Sequence, residues 1–138
     1  MTLALWRISN HVDLDGVGGL YASGRWHPQG VRVVYLAEHP ALALLEVLVH
    51  FDTDLDELPP QYTLMEVAAP ADLVEELPVD AEQGRVRGLG AGWQDNLETT
   101  QRIGAEWLKS GRSALLRVPS AVAPFSHNYV LNLSLIHI

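Results

Sequence analysis

The alternation of hydrophobic and polar positions along the chain predicts five strands and two helices separated by loops. Each predicted strand is a short run rich in Val, Leu, Ile or Tyr, bounded by Gly, Pro, Ser or charged residues, as half-buried β-structure usually is. The predicted strands are residues 3–8, 31–36, 62–68, 113–118 and 128–133. Residues 9–30 are rich in Gly, Asp and Ser, and this composition predicts a segment that is mostly loop.

Two other segments have the composition of helices. Residues 41–50 are rich in Ala and Leu and follow Pro40, a residue type favoured at the first position of a helix. Residues 96–109 carry apolar side chains at helical spacing and end before Gly111, a common helix terminator. Because strands and helices mix without regular alternation, the sequence predicts an α+β fold in a single domain over residues 1–138.

Composition narrows the possible classes of function. The 138 residues carry nine Lys and Arg against 17 Asp and Glu, and this net charge of −8 argues against a dedicated nucleic-acid-binding protein. Cys is absent, which removes disulfides, thiolate metal sites and cysteine nucleophiles. Since no apolar run is long enough to span a bilayer and no targeting segment is recognisable, we expect a soluble, cytoplasmic protein without direct membrane contact.

The acidic residues are concentrated in one part of the chain. Residues 51–82 contain ten Asp or Glu side chains and no Lys or Arg. One interpretation is a solvated acidic edge that keeps the domain soluble, and the other is a docking surface for a basic partner. Composition favours the first interpretation but leaves both open.

Common catalytic motifs are absent from the sequence. It contains no phosphate-binding GxxxxGK[ST] loop, no GxGxxG dinucleotide fingerprint and no GxSxG nucleophile elbow. Its six His residues lack the spacing of a metal site, so no metal is expected. These absences argue against the usual hydrolase and kinase assignments and against a Rossmann-type dinucleotide site.

Glu46 is the first candidate for chemistry, because it lies within the apolar segment 41–50. A carboxylate buried there is destabilising unless it is paired, protonated or functional. The alternative is that Glu46 lies on the one exposed stripe of the helix, where His50 is its neighbour one turn later. The sequence alone does not separate these two interpretations.

Three further residues have both an ordinary and a functional interpretation. Arg25 lies in a loop between Gly24 and Trp26, where its planar guanidinium suits a phosphate or carboxylate, although an exposed loop Arg is the simpler interpretation. Tyr35 lies on a predicted strand, where a buried ring with one polar end is common. Ser120 follows a predicted strand and is typical of a turn.

Five short motifs occur in a fixed order along the chain. They are Trp6-Arg7, Gly24-Arg25-Trp26, Val34-Tyr35, Ala43-Leu44-Leu45-Glu46-Val47-Leu48 and Val118-Pro119-Ser120-Ala121. Together they resemble the RES domain family, from Leu5 to about Asn132, and the stretch from Gly24 to His50 is the most specific. The resemblance implies a fold similar to that of ADP-ribosyltransferases, with a split β-sheet and flanking helices.

The resemblance also implies roles for individual residues. Arg25, Tyr35 and Glu46 match the family's Arg-Tyr-Glu active-site set and are the implied catalytic residues. Arg7 matches an arginine that lines the NAD pocket and Ser120 the signature serine, so Arg7, Arg25, Tyr35 and Ser120 are the implied NAD⁺-binding residues. The implied roles are stabilisation of a ribose cation by Glu46, pyrophosphate binding by the two arginines, stacking by Tyr35, and a hydrogen bond from Ser120 to the nicotinamide-ribose end.

The activity implied by the resemblance is that of a toxin that uses NAD⁺ as its substrate. We expect cleavage of the nicotinamide–ribose bond with water or phosphate as acceptor. Transfer of ADP-ribose to a protein and a catalytically inactive binding module are the alternatives. The implied partner is an Xre-like helix-turn-helix antitoxin, which would bind DNA in place of this chain, and a homodimer within that complex is a further expectation.

The end of the chain departs from the family pattern. Where the family usually continues from its asparagine as Asn-Pro-x-His-Pro, this chain continues as Asn132-Leu133-Ser134-Leu135-Ile136-His137-Ile138. The resemblance therefore leaves open whether residues 133–138 complete the pocket on its C-terminal side.

Overall fold

The computed structural model describes residues 1–51, 62–79 and 86–135, and these residues form an α+β structure. Its strands and helices follow in the order β1 (Thr2–Ser9), α1 (Gly18–Tyr21), β2 (Val33–Ala37), α2 (Pro40–Phe51), β3 (Thr63–Pro70), β4 (Val74–Glu76), α3 (Leu97–Ser110), β5 (Leu115–Pro119) and β6 (His127–Asn132). Short 3₁₀ turns lie at Ala71–Leu73, Trp93–Asp95 and Leu133–Leu135. None of the described helices is long and apolar enough to cross a membrane.

All five predicted strands and both predicted helices are confirmed, with ends that differ by one or two residues. The signals at the helix ends explain this agreement. Asn96 caps α3 by accepting a hydrogen bond from the backbone N–H of Thr99 at 3.2 Å, and Gly111 ends the helix with a left-handed φ of 63°. Helix α1, which lies within the predicted loop, and the three-residue strand β4 were not predicted.

The six described strands form one sheet in the order β3-β1-β2-β6-β5-β4. All neighbours are antiparallel except the parallel pair β4 and β5. The two edge strands are consecutive in the chain, because only the turn Ala71–Leu73 separates β3 from β4. Such a link spans at most about 14 Å, whereas the edges of a flat six-stranded sheet are about 24 Å apart. The sheet must therefore curl until its edges approach each other.

The curled sheet buries different residues on its two faces. One face is enclosed by the curl and forms an apolar cluster of Leu5, Val34, Leu36, Ala69, Leu115, Tyr129 and Leu131. The other face packs against the helices through two clusters, one with Trp107 of α3 and one with Leu42 and Ala43 of α2. The strict alternation along β2 places Val34 and Leu36 inside the curl and Val33 and Ala37 on the helical face.

The sheet is split between β1 and β2. These strands are in register only at Trp6 and Ala37, whereas β1 pairs with β3 along its whole length from Thr2 to Ser9. On its other side, β2 pairs with β6 from Val33 to Ala37. The separation of β1 from β2 opens a cleft beside α2, so the predicted split sheet with flanking helices is confirmed.

Candidate active site

Four of the five predicted site residues lie around one cavity. Arg7 from β1, Arg25 from the turn before β2, Tyr35 from β2 and Glu46 from α2 all line a cavity of about 1030 Å³ at the split in the sheet. This volume is at the upper end of the range common for small-molecule sites, roughly 300–1,000 Å³. The fold thus brings together side chains that are separated by loops and a helix in the sequence.

Glu46 is half-buried on the side of α2 that faces the cavity. Its carboxylate oxygen Oε1 accepts a hydrogen bond from Nδ2 of Asn128 at 2.6 Å. Burial raises the pKa of Glu46, and the hydrogen bond from Asn128 partly offsets this increase. The carboxylate is therefore held in place by a neutral amide while its charge is incompletely solvated.

Asn128 is a site residue that the sequence analysis missed, because it was treated only as part of a strand. Its side chain is 8% exposed, and its Nδ2 also lies 3.4 Å from the carbonyl oxygen of Leu36. The available signal was an amide at the start of the apolar run Tyr129–Val130–Leu131. A buried polar side chain in such a run needs hydrogen-bond partners.

The hydroxyl group of Tyr35 is buried and forms a hydrogen bond with His27. The hydroxyl oxygen accepts from the backbone N–H of Trp26 at 3.0 Å and lies 2.7 Å from Nδ1 of His27. Burial raises the pKa of Tyr35 far above its usual range, so the hydroxyl group remains protonated. The ring therefore lines the cavity while the hydroxyl group holds the neighbouring turn.

The turn that carries Arg25 is packed tightly against its surroundings. A Cβ atom at Gly24 would lie 2.7 Å from the hydroxyl oxygen of Tyr35 and 2.7 Å from Cε1 of His27, so only glycine fits there. On the other side, a Cβ at Gly104 of α3 would lie 1.6 Å from the carbonyl oxygen of Trp26. Helix α3 thus approaches the turn directly through a glycine.

Arg25 lies on this turn with its side chain half-exposed. Its Nη1 donates a hydrogen bond to the carbonyl oxygen of Gln94 at 2.6 Å. The turn is also tied to α3, because Nε2 of Gln101 donates to the carbonyl oxygen of Gly24 at 2.9 Å. A guanidinium group with one donor fixed by a carbonyl retains further N–H groups for an anion.

Arg7 lines the cavity from β1 and has acidic neighbours. Its Nη1 donates to the carbonyl oxygen of Asp13 at 2.6 Å, and its Nη2 lies 3.4 Å from Oγ of Ser9. Burial lowers the pKa of Arg7, whereas the charges of Asp13 and Asp15 raise it. Within the described ranges, no group of three or more His, Asp or Glu side chains is placed to hold a metal ion.

Ser120 is the predicted site residue that does not line this cavity. Its Oγ accepts hydrogen bonds from the backbone N–H groups of Val122 at 3.1 Å and Ala123 at 3.0 Å, as expected of a turn serine. It lines a second cavity of about 710 Å³, and only Ala121 and Val122 of this loop border both cavities. A hydrogen bond from Ser120 to bound NAD⁺ remains a prediction.

The atypical end of the chain begins at Asn132, the last residue of β6. Asn132 is fully buried, and its Oδ1 accepts from the N–H of Ser134 at 3.1 Å and from Oγ of Ser134 at 2.5 Å. Neither side chain lines the large cavity. In the described part of the tail, Asn132 therefore stabilises the last turn, and residues 136–138 lie outside the described residues.

A curled, split sheet with Arg, Tyr and Glu side chains around one cleft defines a small α+β protein with a polar cavity. The chain belongs to the RES domain family, whose model matches residues 4–135. The same residues carry the motifs from which the sequence analysis identified this resemblance.

Curated relatives agree with the family assignment, and a solved structure shares the fold. The chain is 41% identical to Toxin Res of Pseudomonas putida, over 94% of this chain and 84% of that protein. It is 35% identical to the Prs ADP-ribosylating toxin of a Sphingobium species, over 96% of this chain and 83% of that protein. It shares its fold with a chain of the M. tuberculosis MbcT–MbcA toxin–antitoxin complex, with a TM-score of 0.74, 20% identity, and coverage of 95% of this chain and 74% of that chain.

Proposed function

We propose that this chain is the toxin of a toxin–antitoxin pair and that it consumes NAD⁺ by cleaving the bond between nicotinamide and ribose. The observation that carries the proposal is the half-buried Glu46 carboxylate, which lines the same cavity as Arg25, Tyr35 and Arg7. The names of its curated relatives support the toxin assignment.

Glu46 stabilises the charge that develops on the sugar in this mechanism. When the bond between C1′ of the ribose and N1 of nicotinamide breaks, both electrons leave with N1, so nicotinamide departs as a neutral base and the ribose becomes an oxocarbenium-like cation. A carboxylate in a partly desolvated cavity attracts that cation more strongly than one in water. The positive pyridinium ring of NAD⁺ favours the ionised form of Glu46 before the bond breaks.

The two arginines contribute unequally to binding of the pyrophosphate. Arg25 offers its remaining N–H groups from a rigid turn and makes the principal contact. Arg7 contributes less, because the carboxylates of Asp13 and Asp15 near it would repel a phosphate. Tyr35 uses its ring to stack on the cationic nicotinamide, since its hydroxyl group is already engaged.

The acceptor completes the reaction from the open side of the cavity. The oxygen of water or of inorganic phosphate bonds to C1′, and the proton lost by water passes to Glu46 or to solvent. Transfer of ADP-ribose to a protein is the second candidate function. It is favoured by the 35% identical relative that is named an ADP-ribosylating toxin.

The partner proposed for this chain is an Xre-like helix-turn-helix antitoxin. The structural neighbour comes from a complex of a toxin with its antitoxin, and this observation supports an antitoxin partner. DNA binding would then belong to the antitoxin, which agrees with the net charge of −8 on this chain. Cytoplasmic location and a homodimer within the complex are parts of the same proposal.

Product analysis tests the proposed reaction. The protein is incubated with NAD⁺ in buffer, with added phosphate, and with a cell lysate, and the products are separated by chromatography and mass spectrometry. Free nicotinamide with ADP-ribose identifies water as acceptor, ADP-ribose 1-phosphate identifies phosphate, and modified protein identifies a transferase. Unchanged NAD⁺ in all three reactions would contradict the proposal and favour a binding module.

A further inference from the structure

We propose that His27 is a positioning residue that orients the Tyr35 hydroxyl group and, through it, the turn that presents Arg25. This inference rests on the proposed function only in taking Arg25 as a ligand of NAD⁺. His27 entered the sequence analysis only as one of six histidines, and neither the motifs nor the proposed mechanism assigns it a role.

The hydrogen bonds of His27 determine its tautomer. Nε2 lies 3.0 Å from the carbonyl oxygen of Ala22, so this nitrogen must carry a proton and donate it. Nδ1 lies 2.7 Å from the hydroxyl oxygen of Tyr35. In the neutral ring Nδ1 is an acceptor. The Tyr35 hydroxyl group therefore donates a hydrogen bond to Nδ1 of His27.

This arrangement leaves the Tyr35 oxygen free to accept from the backbone. The N–H of Trp26 donates to that oxygen at 3.0 Å. A directed chain of hydrogen bonds therefore runs from the Trp26 amide through Tyr35 and His27 to the carbonyl of Ala22. Each bond in such a chain strengthens the next, and each fixes the orientation of its neighbour.

The Trp26 end of this series of hydrogen bonds fixes the backbone next to Arg25. The N–H of Gly24 donates to the carbonyl oxygen of His27 at 3.1 Å, which closes the turn around Arg25 and Trp26. His27 is 3% exposed, and its ring lies against Tyr35 with ring centroids 5.5 Å apart. Because the turn has no space for even a Cβ at Gly24, a change in the Tyr35 hydroxyl position displaces the backbone that carries Arg25.

Burial supports the neutral form of His27. It lowers the pKa of the imidazole, and the hydrogen bond to Ala22 only partly opposes this shift. A neutral ring can accept from Tyr35 at Nδ1, whereas an imidazolium ion has no acceptor to offer.

Two matched substitutions separate the two hydrogen bonds of His27. His27→Asn places an amide oxygen near the position of Nδ1 and retains an acceptor for Tyr35. His27→Gln places its amide near the position of Nε2, so it retains the bond to Ala22 but loses the acceptor for Tyr35. The variants are compared with Tyr35→Phe, which keeps the ring, and with the double variant His27→Gln/Tyr35→Phe.

We expect the KM for NAD⁺ to rise about tenfold in His27→Gln, the effect of losing one buried hydrogen bond, with a smaller change in kcat. His27→Asn should stay within about threefold of the parent protein. The KM of the double variant should be no higher than that of Tyr35→Phe, because both changes act through the same hydroxyl group. A raised KM in His27→Asn together with a parental KM in His27→Gln would overturn the proposal. Parental KM values in all variants would also overturn it.

Amide hydrogen exchange provides a test that needs no substrate. The Trp26 N–H should exchange about ten times faster in Tyr35→Phe and His27→Gln than in the parent protein or in His27→Asn. Equal protection in all four proteins would refute the role of His27. If the parent protein leaves NAD⁺ intact, the proposed function fails, but this exchange measurement still decides the role of His27.

Discussion

Two regions of the molecule place a glutamate in opposite electrostatic settings. At the edge of the sheet, both oxygens of Glu75 in β4 accept from Arg112, at 3.0 Å from Nε and 2.8 Å from Nη2. These hydrogen bonds lower the pKa of Glu75. In the cleft, Glu46 accepts from the amide of Asn128, and burial raises its pKa. The same side chain is thus neutralised by a cation in one region and left with a poorly compensated charge in the other.

The difference shows how local surroundings separate a carboxylate that has a counter-ion from one that has none. Glu75 lies near solvent with a bidentate Arg partner, an arrangement that joins β4 to the end of α3 and that contributes little energy when exposed. Glu46 keeps an uncompensated charge because its partner, a neutral amide, orients it without neutralising it. A carboxylate in the second setting can respond to a cationic substrate, whereas one in the first already has its counter-ion.

The largest expected effect comes from removing the charge in the cleft. Glu46→Gln keeps the shape of the side chain and the acceptor for Asn128, so NAD⁺ binding should persist while turnover falls at least about 100-fold. Nicotinamide release measures turnover and calorimetry measures binding. Glu75→Gln is the matched control and should turn over NAD⁺ like the parent protein. Cleavage by Glu46→Gln at the parental rate would contradict the mechanism.

Removing an arginine should lower activity in the cleft but not at the edge of the sheet. Arg25→Ala deletes the proposed pyrophosphate ligand and should lower kcat/KM about 10- to 100-fold, with weaker binding of NAD⁺. Arg112→Ala breaks the pair with Glu75 and should leave kcat/KM unchanged. Steady-state kinetics on both variants make the comparison, and an equal loss in both would show that Arg25 acts only through stability.

A second carboxylate beside Glu46 should shift the pH dependence of the reaction. Asn128→Asp replaces the donor that lies 2.6 Å from Glu46 Oε1 with a negative group, and this raises the pKa of Glu46 further. If ionised Glu46 is the active form, activity at neutral pH should fall about tenfold and recover as the pH rises. An unchanged pH profile of kcat/KM would argue against ionised Glu46 as the active form.

The smallest expected effect is on stability, and its sign differs between the two glutamates. Burial raises the pKa of folded Glu46 above its ordinary value of 4.5, so ionised Glu46 opposes folding at neutral pH. Glu46→Gln should therefore raise Tm by a few degrees at neutral pH, and this gain should vanish as the pH falls through the raised pKa towards 4.5.

Glu75 should behave in the opposite way in the same thermal unfolding experiment. Because Arg112 lowers its pKa below 4.5, ionised Glu75 favours folding above that pH, and this contribution disappears as the pH falls through the lowered pKa. Glu75→Gln should therefore lower Tm slightly at neutral pH and leave it unchanged in strong acid. If Glu46→Gln and Glu75→Gln changed Tm in the same direction at neutral pH, the comparison of the two glutamates would be wrong.

Elements with local signals could be predicted from the sequence. Pro40 marks the start of α2, and Asn96 and Gly111 mark the two ends of α3, because capping and termination depend on neighbouring residues. The strand Val74–Glu76 could not be predicted in this way. It has three residues in an acidic segment and becomes a strand only because β5 lies parallel to it.

The described part of the acidic segment lies along the two edge strands of the sheet and the turn between them. Glu66 and Asp72 are exposed, and Glu75 and Glu76 pair with arginines. Its residues 52–61 and 80–82 lie outside the described residues, so a docking role for a basic partner stays a prediction.

The candidate site was only partly accessible from the sequence. The motifs identified Arg25, Tyr35 and Glu46, but the residues that orient them follow from contacts that no local pattern encodes. Asn128 is 82 positions from Glu46 in the sequence, and their hydrogen bond depends on where β6 joins the sheet. His27 lies close to Tyr35 in the sequence, yet its role depends on a turn that folds the two rings together.

The position of β6 has a consequence for protein synthesis. This strand is made last among the six, yet it lies in the middle of the sheet between β2 and β5 and supplies Asn128 to Glu46. A nascent chain that ends before residue 127 leaves β2 without its neighbour and the cleft without its amide. Translation products that stop before residue 127 should therefore lack the complete cleft, and the proposed activity should begin only once residues 127–132 have been made.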